Sequence, residues 1–381
     1  MNTNRLIKFM DTLEGIGIPG CDCVVYQNHK PVFRHMTGYA DKGRTKPISN
    51  KTVYWIYSVS KLITCTAVMQ LVEGGSLALD DPVYKYLPEY KDMKVKLKLG
   101  VKPALNTMTI RHLLSMQSGL NYNLSAPSIL KTLKDTNGKA TTRELVSALA
   151  QEPLDFEPGT RFQYSFSHDV LGAVIEVVSG MPFDLYVEEH ILIPLGMENT
   201  GFELTPERRA VMSDQFSYNV LSRTAKPISL ENEYVLSPNY KSGGAGLIST
   251  ADDIILFLDA MSNGGVGANG YRILTQETID LMRTDQLNDM SRQDYYMMDR
   301  YRLGYSYGLG VRMLIDKEIS GAKSPLGEFG WDGAAGAHAL IDTKNKLAIF
   351  YVQHVKACEY AYETVHPKIR DLVYEMLQLD S

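Results

Sequence analysis

The sequence contains few of the residues on which small secreted or metal-bound proteins depend. Its 381 residues include only four cysteines and two tryptophans. The cysteines show no zinc-ligand spacing, and Cys21 and Cys23 would point to opposite faces of a strand. A chain of this length buries enough surface to fold without a disulfide or a metal. We therefore expect free, buried thiols and a cytoplasmic protein.

Long apolar runs and blocks of one charge are also missing. No run approaches the roughly 18 residues that a membrane-spanning helix needs, and residues 1–11 lack the apolar stretch of a signal peptide. Lysine and arginine total 39 against 44 aspartate and glutamate residues, a formal charge of −5. No basic stripe indicates nucleic-acid binding. These absences favour a cytoplasmic protein with neither a nucleic-acid nor a membrane partner.

Tyrosine and methionine are abundant, with 23 and 17 residues. Both suit the walls of an apolar pocket that must also supply a few hydrogen bonds. Their abundance indicates a pocket but does not locate it.

Strand patterns occur near both ends of the chain, and helical patterns lie between them. Residues 21–38 alternate as in a hairpin, and a final helix is expected over 367–377. Further strands are expected over 307–315, 337–342 and 347–354. A sheet made from both chain ends with an inserted helical lobe follows. We place the sheet domain at 1–57 and 245–381 and the mainly helical domain at 58–244, with the active site at their junction.

A serine and a lysine three residues apart begin a predicted helix over roughly 57–74. In Ser58-Val59-Ser60-Lys61, this spacing puts the hydroxyl and the amine on one helical face. The helix N-terminus adds positive potential and unpaired N–H groups. A partly desolvated lysine there would have a lowered pKa and could act as a base. The motif alone equally describes a helix cap followed by a solvated lysine.

Two other motifs are interpreted as structural. Gly304-x-Ser306-x-Gly308 matches the nucleophile-elbow pattern, but a strand rather than a helix is expected after it. The segment 265–270 matches a phosphate-binding glycine pattern, but it follows a helix and is expected to be a loop.

The setting of Ser58 and Lys61 changes their interpretation, because a series of further motifs accompanies them in order. These motifs are Pro19-Gly20, Gly38-Tyr39-Ala40-Asp41, Leu79-Asp80-Asp81-Pro82-Val83, Thr109-Ile110-Arg111-His112-Leu113-Leu114-Ser115-x-x-Ser118-Gly119-Leu120, Phe156-x-Pro158-Gly159-Thr160-x-Phe162-x-Tyr164-Ser165, Pro194-Leu195-Gly196-Met197 and Gly243-Gly244-Ala245-Gly246-Leu247. Together they cover nearly the whole chain and resemble the serine β-lactamase and penicillin-recognising family. The similarity is to its class C-like branch of β-lactamases, DD-peptidases and family VIII-type carboxylesterases.

The resemblance implies a fold and a set of site residues. The fold is the α/β, β-lactamase/transpeptidase-like one, an antiparallel sheet flanked by N- and C-terminal helices with an inserted mainly helical lobe. Tyr164 matches the tyrosine of the family's Y-x-N element, and its phenol would ionise well below its usual pKa beside the Lys61 ammonium. A core tyrosine is the alternative.

A second implied element is the strand motif that the family writes K-T-G. Trp331-Asp332-Gly333 occupies that position, and the backbone N–H groups of Ser58 and Ala334 would form the oxyanion hole. A glycine-rich turn with a half-buried tryptophan is the alternative.

Two departures from the family pattern bear on the substrate. Phe166 replaces the asparagine of Y-x-N, and Trp331 replaces the lysine of K-T-G. Hydrogen bonds and a cationic partner for an acid are lost, which favours a neutral ester or a hydrophobic acyl group. Phe166 and Trp331 are therefore expected to line an apolar acyl pocket. Trp331 resembles the W-G-G variant of the carboxylesterases, although Asp332 differs from it.

The segment around Tyr295 and Tyr296 is either a lid or pocket wall, or an ordinary loop packed on the sheet.

The sequence thus predicts a serine hydrolase that forms an acyl-enzyme on Ser58, with Lys61 and Tyr164 handling the proton. A carboxylesterase for small or hydrophobic esters is favoured. The alternatives are a β-lactamase or D-alanyl-D-alanine carboxypeptidase, and a non-catalytic binding module. The expected partner is a small-molecule ester or amide, with no metal or other cofactor, and the oligomeric state stays open.

Overall fold

The computed structural model describes residues 2–379. Its strands are β1 (Gly20–Gln27), β2 (Lys30–Gly38), β3 (Tyr54–Trp55), β4 (Lys94–Lys96), β5 (Val101–Pro103), β6 (Phe216–Asn219), β7 (Thr224–Pro227), β8 (Ile248–Ser249), β9 (Tyr305–Tyr307), β10 (Arg312–Leu314), β11 (Phe329–Asp332), β12 (His338–Asp342), β13 (Leu347–Gln353) and β14 (Val355–Lys356). The helices are α1 (Asn4–Asp11), α2 (Ser60–Glu73), α3 (Ile110–Leu114), α4 (Pro127–Asp135), α5 (Thr142–Leu149), α6 (Ser167–Ser179), α7 (Phe183–Val187), α8 (Ile193–Leu195), α9 (Pro206–Val211), α10 (Ala251–Ser262), α11 (Gln276–Met282), α12 (Asp289–Met298), α13 (Lys317–Ser320) and α14 (His366–Leu377).

A seven-stranded antiparallel sheet in the order β2-β1-β13-β12-β11-β10-β9 joins the two ends of the chain. The predicted hairpin is present as β1 and β2, and β1 pairs with β13 through residues such as Cys23 and Tyr351. Every residue of β13 is buried, as expected for a central strand covered on both faces. The β-lactamase/transpeptidase-like fold class expected from the resemblance is thereby confirmed.

Helices cover both faces of this sheet. On one face, α1 and α14 contribute residues such as Met10 and Val373 to a buried cluster with Val25 and Ile349. On the other face, α10 packs against β1 and β13. All four cysteines are buried and free, as predicted.

The region between the sheet segments is mainly helical, and its centre is formed by α2 packed against α6. A capping box begins α5, where the Thr141 hydroxyl accepts a hydrogen bond from the Glu144 N–H. Within residues 2–379, no single helix is long and apolar enough to cross a membrane. The segments Ser167–Ser179 and Phe183–Leu195 meet that criterion only as a pair, bent by 82°.

Two expected elements differ from the structure. The single strand expected over 307–315 is split into β9 and β10, because Gly310 takes a left-handed φ of +83° and turns the chain. Most of the expected loop around Tyr295 is instead helix α12, which begins where Asn288 caps it. The two motifs set aside in the sequence are structural: Ser306 is buried in β9, and the segment 265–270 is a loop after α10.

Candidate active site

Ser58 lies on a sharp bend between β3 and α2. Tyr57, immediately before it, has a φ of +46°, a left-handed conformation that is strained for a residue with a large side chain. Burial fixes this residue, since its ring meets that of Tyr234 edge-on and its hydroxyl donates to Gln215. The chain then makes one tight helical turn, Tyr57–Val59, before α2 begins. The bend therefore presents Ser58 at the helix entrance.

The amine of Lys61 lies beneath Ser58, with its Nζ 3.2 Å from the serine Oγ. The same Nζ donates to the carbonyl oxygen of Gly244 at 2.6 Å. Burial lowers the pKa of Lys61 to about 7, and the negative charge of Asp169 only partly opposes this effect. A large fraction of Lys61 is consequently neutral near pH 7, so this amine can accept a proton from Ser58.

Tyr164 faces the same serine from the other side. Its ring centroid is 4.4 Å from the Lys61 Nζ, and its hydroxyl accepts a hydrogen bond from the Trp331 Nε1 at 3.0 Å. Burial raises the pKa of Tyr164 well above its ordinary value, although hydrogen bonds with Ser58 and Trp331 oppose the shift. The expectation of an easily ionised phenol is therefore corrected, because desolvation outweighs the nearby amine. Tyr164 is protonated near neutral pH and suits proton donation.

The candidate oxyanion amides belong to two residues that line the cavity in front of Ser58. Ser58 and Ala334 both line the cavity, and among residues 2–379 neither N–H takes part in a backbone hydrogen bond. The segment after β11 approaches closely because residue 333 is glycine: a Cβ there would lie 2.4 Å from the Ile56 carbonyl oxygen. The two N–H groups are thus without a backbone partner at the cavity, and their role as the oxyanion hole that the resemblance implies stays a prediction.

The cavity in front of Ser58 has a volume of about 450 Å³. Tyrosine side chains form much of its wall, together with the stacked ring of Trp331. The lining residues are Ser58, Tyr122, Leu124, Tyr164, Tyr234, Met298, Asp299, Tyr301, Arg312, Trp331, Asp332, Gly333, Ala334 and Tyr362. The structure thus brings together the predicted serine, tyrosine and substrate-strand residues, with Lys61 directly behind the serine.

Three predicted pocket residues lie elsewhere. Phe166 is buried behind Tyr122, with ring centroids 4.6 Å apart. Tyr295 is fully buried against Phe162 at 5.5 Å, and Tyr296 packs on its outer side. The prediction that these rings line the pocket is wrong, because α12 turns Tyr295 into the core. Residues just after it on the same segment, such as Met298 and Tyr301, reach the cavity instead.

Two residues of the site were not recognised from the sequence. Asp169 is fully buried in α6, and its carboxylate accepts from Tyr240 at 2.7 Å, Ser242 at 2.6 Å and the Gly244 N–H at 3.3 Å. It thereby positions the carbonyl that binds Lys61. The sequence signal for Asp169 was an acid within the apolar pattern of α6, because a buried carboxylate is costly unless polar groups bind it. Tyr122, whose ring centroid is 5.4 Å from the Lys61 Nζ, carried no comparable signal.

Asp332 belongs to a buried network as well as to the cavity. Together with His338 and His366, it forms a group whose potential ligand atoms lie within 4.8 Å of one another. Its carboxylate is already bound by Arg302 at 2.7 Å and Arg312 at 2.9 Å. Although burial opposes them, these arginines hold the pKa of Asp332 well below its ordinary value. A metal ion would have to displace two guanidinium groups, so the donor set does not fit a metal.

This geometry agrees with the comparisons with known proteins. The Beta-lactamase family model matches residues 6–357. The chain belongs to the Beta-lactamase family. Esterase EstB of Burkholderia gladioli is 30% identical over 375 residues, which cover 93% of this chain and 90% of that protein. By this membership, the chain is a serine hydrolase.

Other relatives in the Beta-lactamase family extend over similar lengths. A putative D-alanyl-D-alanine carboxypeptidase of Escherichia coli (strain K12) is 24% identical, covering 91% of this chain and 80% of its own. The solved structure of EstCE1, a hydrolase with promiscuous acyltransferase activity, has a TM-score of 0.77 and 27% identity. That match covers 95% of this chain and 97% of EstCE1. The relatives thus include both ester-acting and carboxypeptidase-like proteins.

Proposed function

We propose that this chain is a carboxylesterase that acts on small or hydrophobic esters through an acyl-enzyme on Ser58. The observation that carries the proposal is the position of Trp331. Its ring stacks on Tyr164 at a centroid distance of 5.7 Å, at the position where the related β-lactam-processing sequences have a lysine. The reacting serine therefore faces an aromatic wall, which suits a neutral substrate.

In the first half of the reaction, Ser58 is the nucleophile. Neutral Lys61 takes the hydroxyl proton while the serine Oγ attacks the ester carbonyl, and the N–H groups of Ser58 and Ala334 hold the oxyanion. The C–O bond to the alcohol then breaks, and the Tyr164 phenol gives its proton to the departing alkoxide. The Lys61 ammonium returns a proton to Tyr164, so the amine is neutral again.

In the second half, water removes the acyl group from Ser58. Lys61 accepts a proton from the water as its oxygen attacks the acyl carbonyl, and the same two N–H groups hold the second oxyanion. The proton then returns to the Ser58 Oγ by way of Tyr164 as the acyl bond breaks. The products are a carboxylic acid and the original enzyme.

The charges around the cavity also favour a neutral ester. Arg312 lines the cavity, but it is paired with Asp332 at 2.9 Å and is therefore compensated. Asp299, also in the lining, adds a carboxyl group nearby. The carboxylate of a penicillin would therefore meet an arginine already paired with Asp332, and not the lysine that Trp331 replaces.

Penicillin or D-alanyl-D-alanine processing is the second candidate. It is favoured by the carboxypeptidase-like relatives and by Arg312, whose Nε has no hydrogen-bond partner among the described residues. We expect faster turnover of p-nitrophenyl butyrate than of nitrocefin. Faster nitrocefin hydrolysis would instead establish the second candidate.

The identity of the nucleophile is tested by mass spectrometry after reaction with a fluorophosphonate. We expect one covalent adduct on the peptide that contains Ser58, and none in Ser58→Ala. Ser306→Ala is the matched control, because that hydroxyl is buried and bonded to Asp285 at 2.6 Å. No adduct on the parent, with unchanged ester turnover in Ser58→Ala, would contradict the proposal.

A further inference from the structure

The hairpin formed by β4 and β5 presents apolar side chains at its tip. Leu99 is 92% exposed, and Leu97 and Val101 are each about half exposed. The turn is closed by a hydrogen bond from the Leu97 N–H to the Gly100 carbonyl oxygen at 3.0 Å. Gly100 has a φ of +82°, which glycine adopts readily. The apolar residues therefore lie on a defined, projecting turn.

The base of the hairpin is attached firmly to the body of the protein. Val95 is buried and pairs with Leu154. Lys96 binds the carboxylate of Asp155 at 2.6 Å, and Lys102 binds a carboxylate oxygen of Glu157 at 2.6 Å. The base of the hairpin is thus held to the body of the protein, while the side chains at its tip are exposed.

Lysine residues surround these apolar residues. Residues 91–105 contain five lysines and one acid, Asp92, in a chain with a formal charge of −5. Within residues 2–379, no carboxylate forms an ion pair with Lys91, Lys94 or Lys98. The segment therefore combines exposed leucine with uncompensated positive charge.

We propose that the hairpin, residues 91–105, binds the surface of an anionic lipid bilayer. Leucines at the tip would enter the headgroup and acyl boundary, and the lysines would contact the acidic headgroups. Exposed leucines beside lysines without ion pairs match an anionic lipid surface, which offers both an apolar interior and negative charge. This mode requires no spanning helix, so it departs from the sequence expectation of no membrane partner, which relied on the lack of such a helix.

The hairpin is also connected to the catalytic cavity. The carboxylate of Asp155 that binds Lys96 accepts from Gln163 at 2.6 Å and from Asn121 at 3.2 Å. These two residues directly precede Tyr164 and Tyr122, which line the cavity. Attachment at the hairpin would therefore hold the protein by an element that is hydrogen-bonded, through Asp155, to the segments carrying two residues of the cavity wall.

The test is co-sedimentation of the full chain with vesicles. We expect binding to vesicles of phosphatidylcholine and phosphatidylglycerol in equal parts, little binding to phosphatidylcholine alone, and weakening by salt. Leu97→Ser with Leu99→Ser should lower the vesicle affinity at least about tenfold, and Lys98→Glu should also lower it.

Matched controls separate this effect from a general loss of surface apolarity or charge. Leu221→Ser removes a leucine that is 97% exposed at another hairpin turn, and Lys226→Glu reverses an exposed lysine of β7. Both should bind vesicles as the parent does, and so should Ser58→Ala, since the proposal does not depend on the esterase activity.

Three outcomes would overturn the proposal. These are equal binding to neutral and anionic vesicles, an equal loss in the Leu221→Ser control, and no binding to either vesicle. If the double leucine variant instead dissociates an oligomer in analytical ultracentrifugation, the hairpin is a contact between copies of this chain.

Discussion

At the scale of single residues, burial determines which group near Ser58 can act as a base near neutral pH. Lys61 and Tyr164 are both removed from water, and desolvation disfavours the charged form of each. The pKa of Lys61 therefore falls to about 7, and that of Tyr164 rises. The two shifts together leave a neutral amine beside a protonated phenol, which is the pair that proton transfer from Ser58 requires.

Ester hydrolysis should accordingly increase with pH through one ionisation near 7. In the proposed mechanism the neutral form of Lys61 is the base, so kcat/KM for p-nitrophenyl butyrate should be low at pH 5.5 and level off above about pH 8. Lys61→Met should lower kcat by several orders of magnitude. Lys131→Met, at a lysine 72% exposed, should leave the profile unchanged. A parent profile without an ionisation near 7 would assign the base elsewhere.

The same lysine should make stability depend on pH. Its pKa is about 7 in the folded chain and near 10.5 when unfolded, so unfolding takes up a proton between these values. The cost of burying Lys61 is fully present below pH 7 and declines as the pH rises. The free energy of unfolding of the parent should therefore rise with pH. The value for Lys61→Met minus the value for the parent should fall by roughly 2 to 3 kcal/mol between pH 6 and 9. Urea denaturation at both pH values measures it, and a constant difference would contradict it.

Removal of the Tyr164 hydroxyl should slow catalysis without unfolding the protein. Tyr164→Phe is expected to reduce kcat by about 10² to 10⁴, the range for loss of a positioned proton donor. Tyr295→Phe is the matched control, because that buried hydroxyl has no hydrogen-bond partner among residues 2–379. Equal kinetics for the two variants would remove Tyr164 from the mechanism.

At the scale of elements, the loop before β8 holds the amine of Lys61 in place. Its shape depends on Asp169, which binds both Ser242 and the N–H of Gly244. Gly244 has no room for a side chain, since a Cβ would lie 2.4 Å from the Tyr122 hydroxyl and 2.7 Å from Asp169. A small residue is thus required where helix, loop and cavity wall meet.

Gly244→Ala should therefore displace the carbonyl that binds Lys61. We expect a loss of at least about 10² in kcat, because misplacement of a catalytic group by about 1 Å has an effect of this size. Gly15→Ala is the control, as a Cβ there meets nothing within 4 Å. Steady-state kinetics with thermal melting separates misplacement from unfolding. Kinetics equal to those of the parent would show that the loop accommodates the added methyl group without displacing the Gly244 carbonyl.

At the scale of the whole molecule, sheet and helical lobe share one core. The largest buried cluster includes Phe350 of the central strand β13 together with Leu171 of α6 and Leu145 of α5. The division at residues 57 and 245 stays a prediction, and we propose that the two parts unfold together. The cytoplasmic location and the oligomeric state likewise stay open to experiment.

A substitution in the sheet should therefore destabilise the whole chain. Phe350→Ala is expected to lower the free energy of unfolding by about 3 to 5 kcal/mol, with loss of esterase activity and of helical circular dichroism at the same temperature. Leu130→Ala, at a side chain 53% exposed, is the control. Two separate transitions would show that the lobe and the sheet fold independently.

Much of the fold and part of the site followed from local patterns. The hairpin of β1 and β2, the final helix and the start of α2 have periodicities that tertiary packing did not override. The turn at Gly310 and the helix α12 were missed, because the sequence pattern did not show that Gly310 takes a left-handed φ or that Asn288 caps a helix. The pocket rings Phe166, Tyr295 and Tyr296 were misplaced because the direction of each ring depends on packing against distant residues, such as Tyr122 for Phe166 and Phe162 for Tyr295.

The sequence by itself determined the family, the nucleophile candidate and the spacing of Ser58 and Lys61, because helical geometry brings residues three apart onto one face. Tertiary structure decided the rest. The pKa of Lys61 depends on burial, the oxyanion amides depend on a strand end about 270 residues away, and the cavity wall depends on the direction in which α12 turns its tyrosines. None of these is a local property of the chain, since each depends on how segments far apart in the sequence pack against one another.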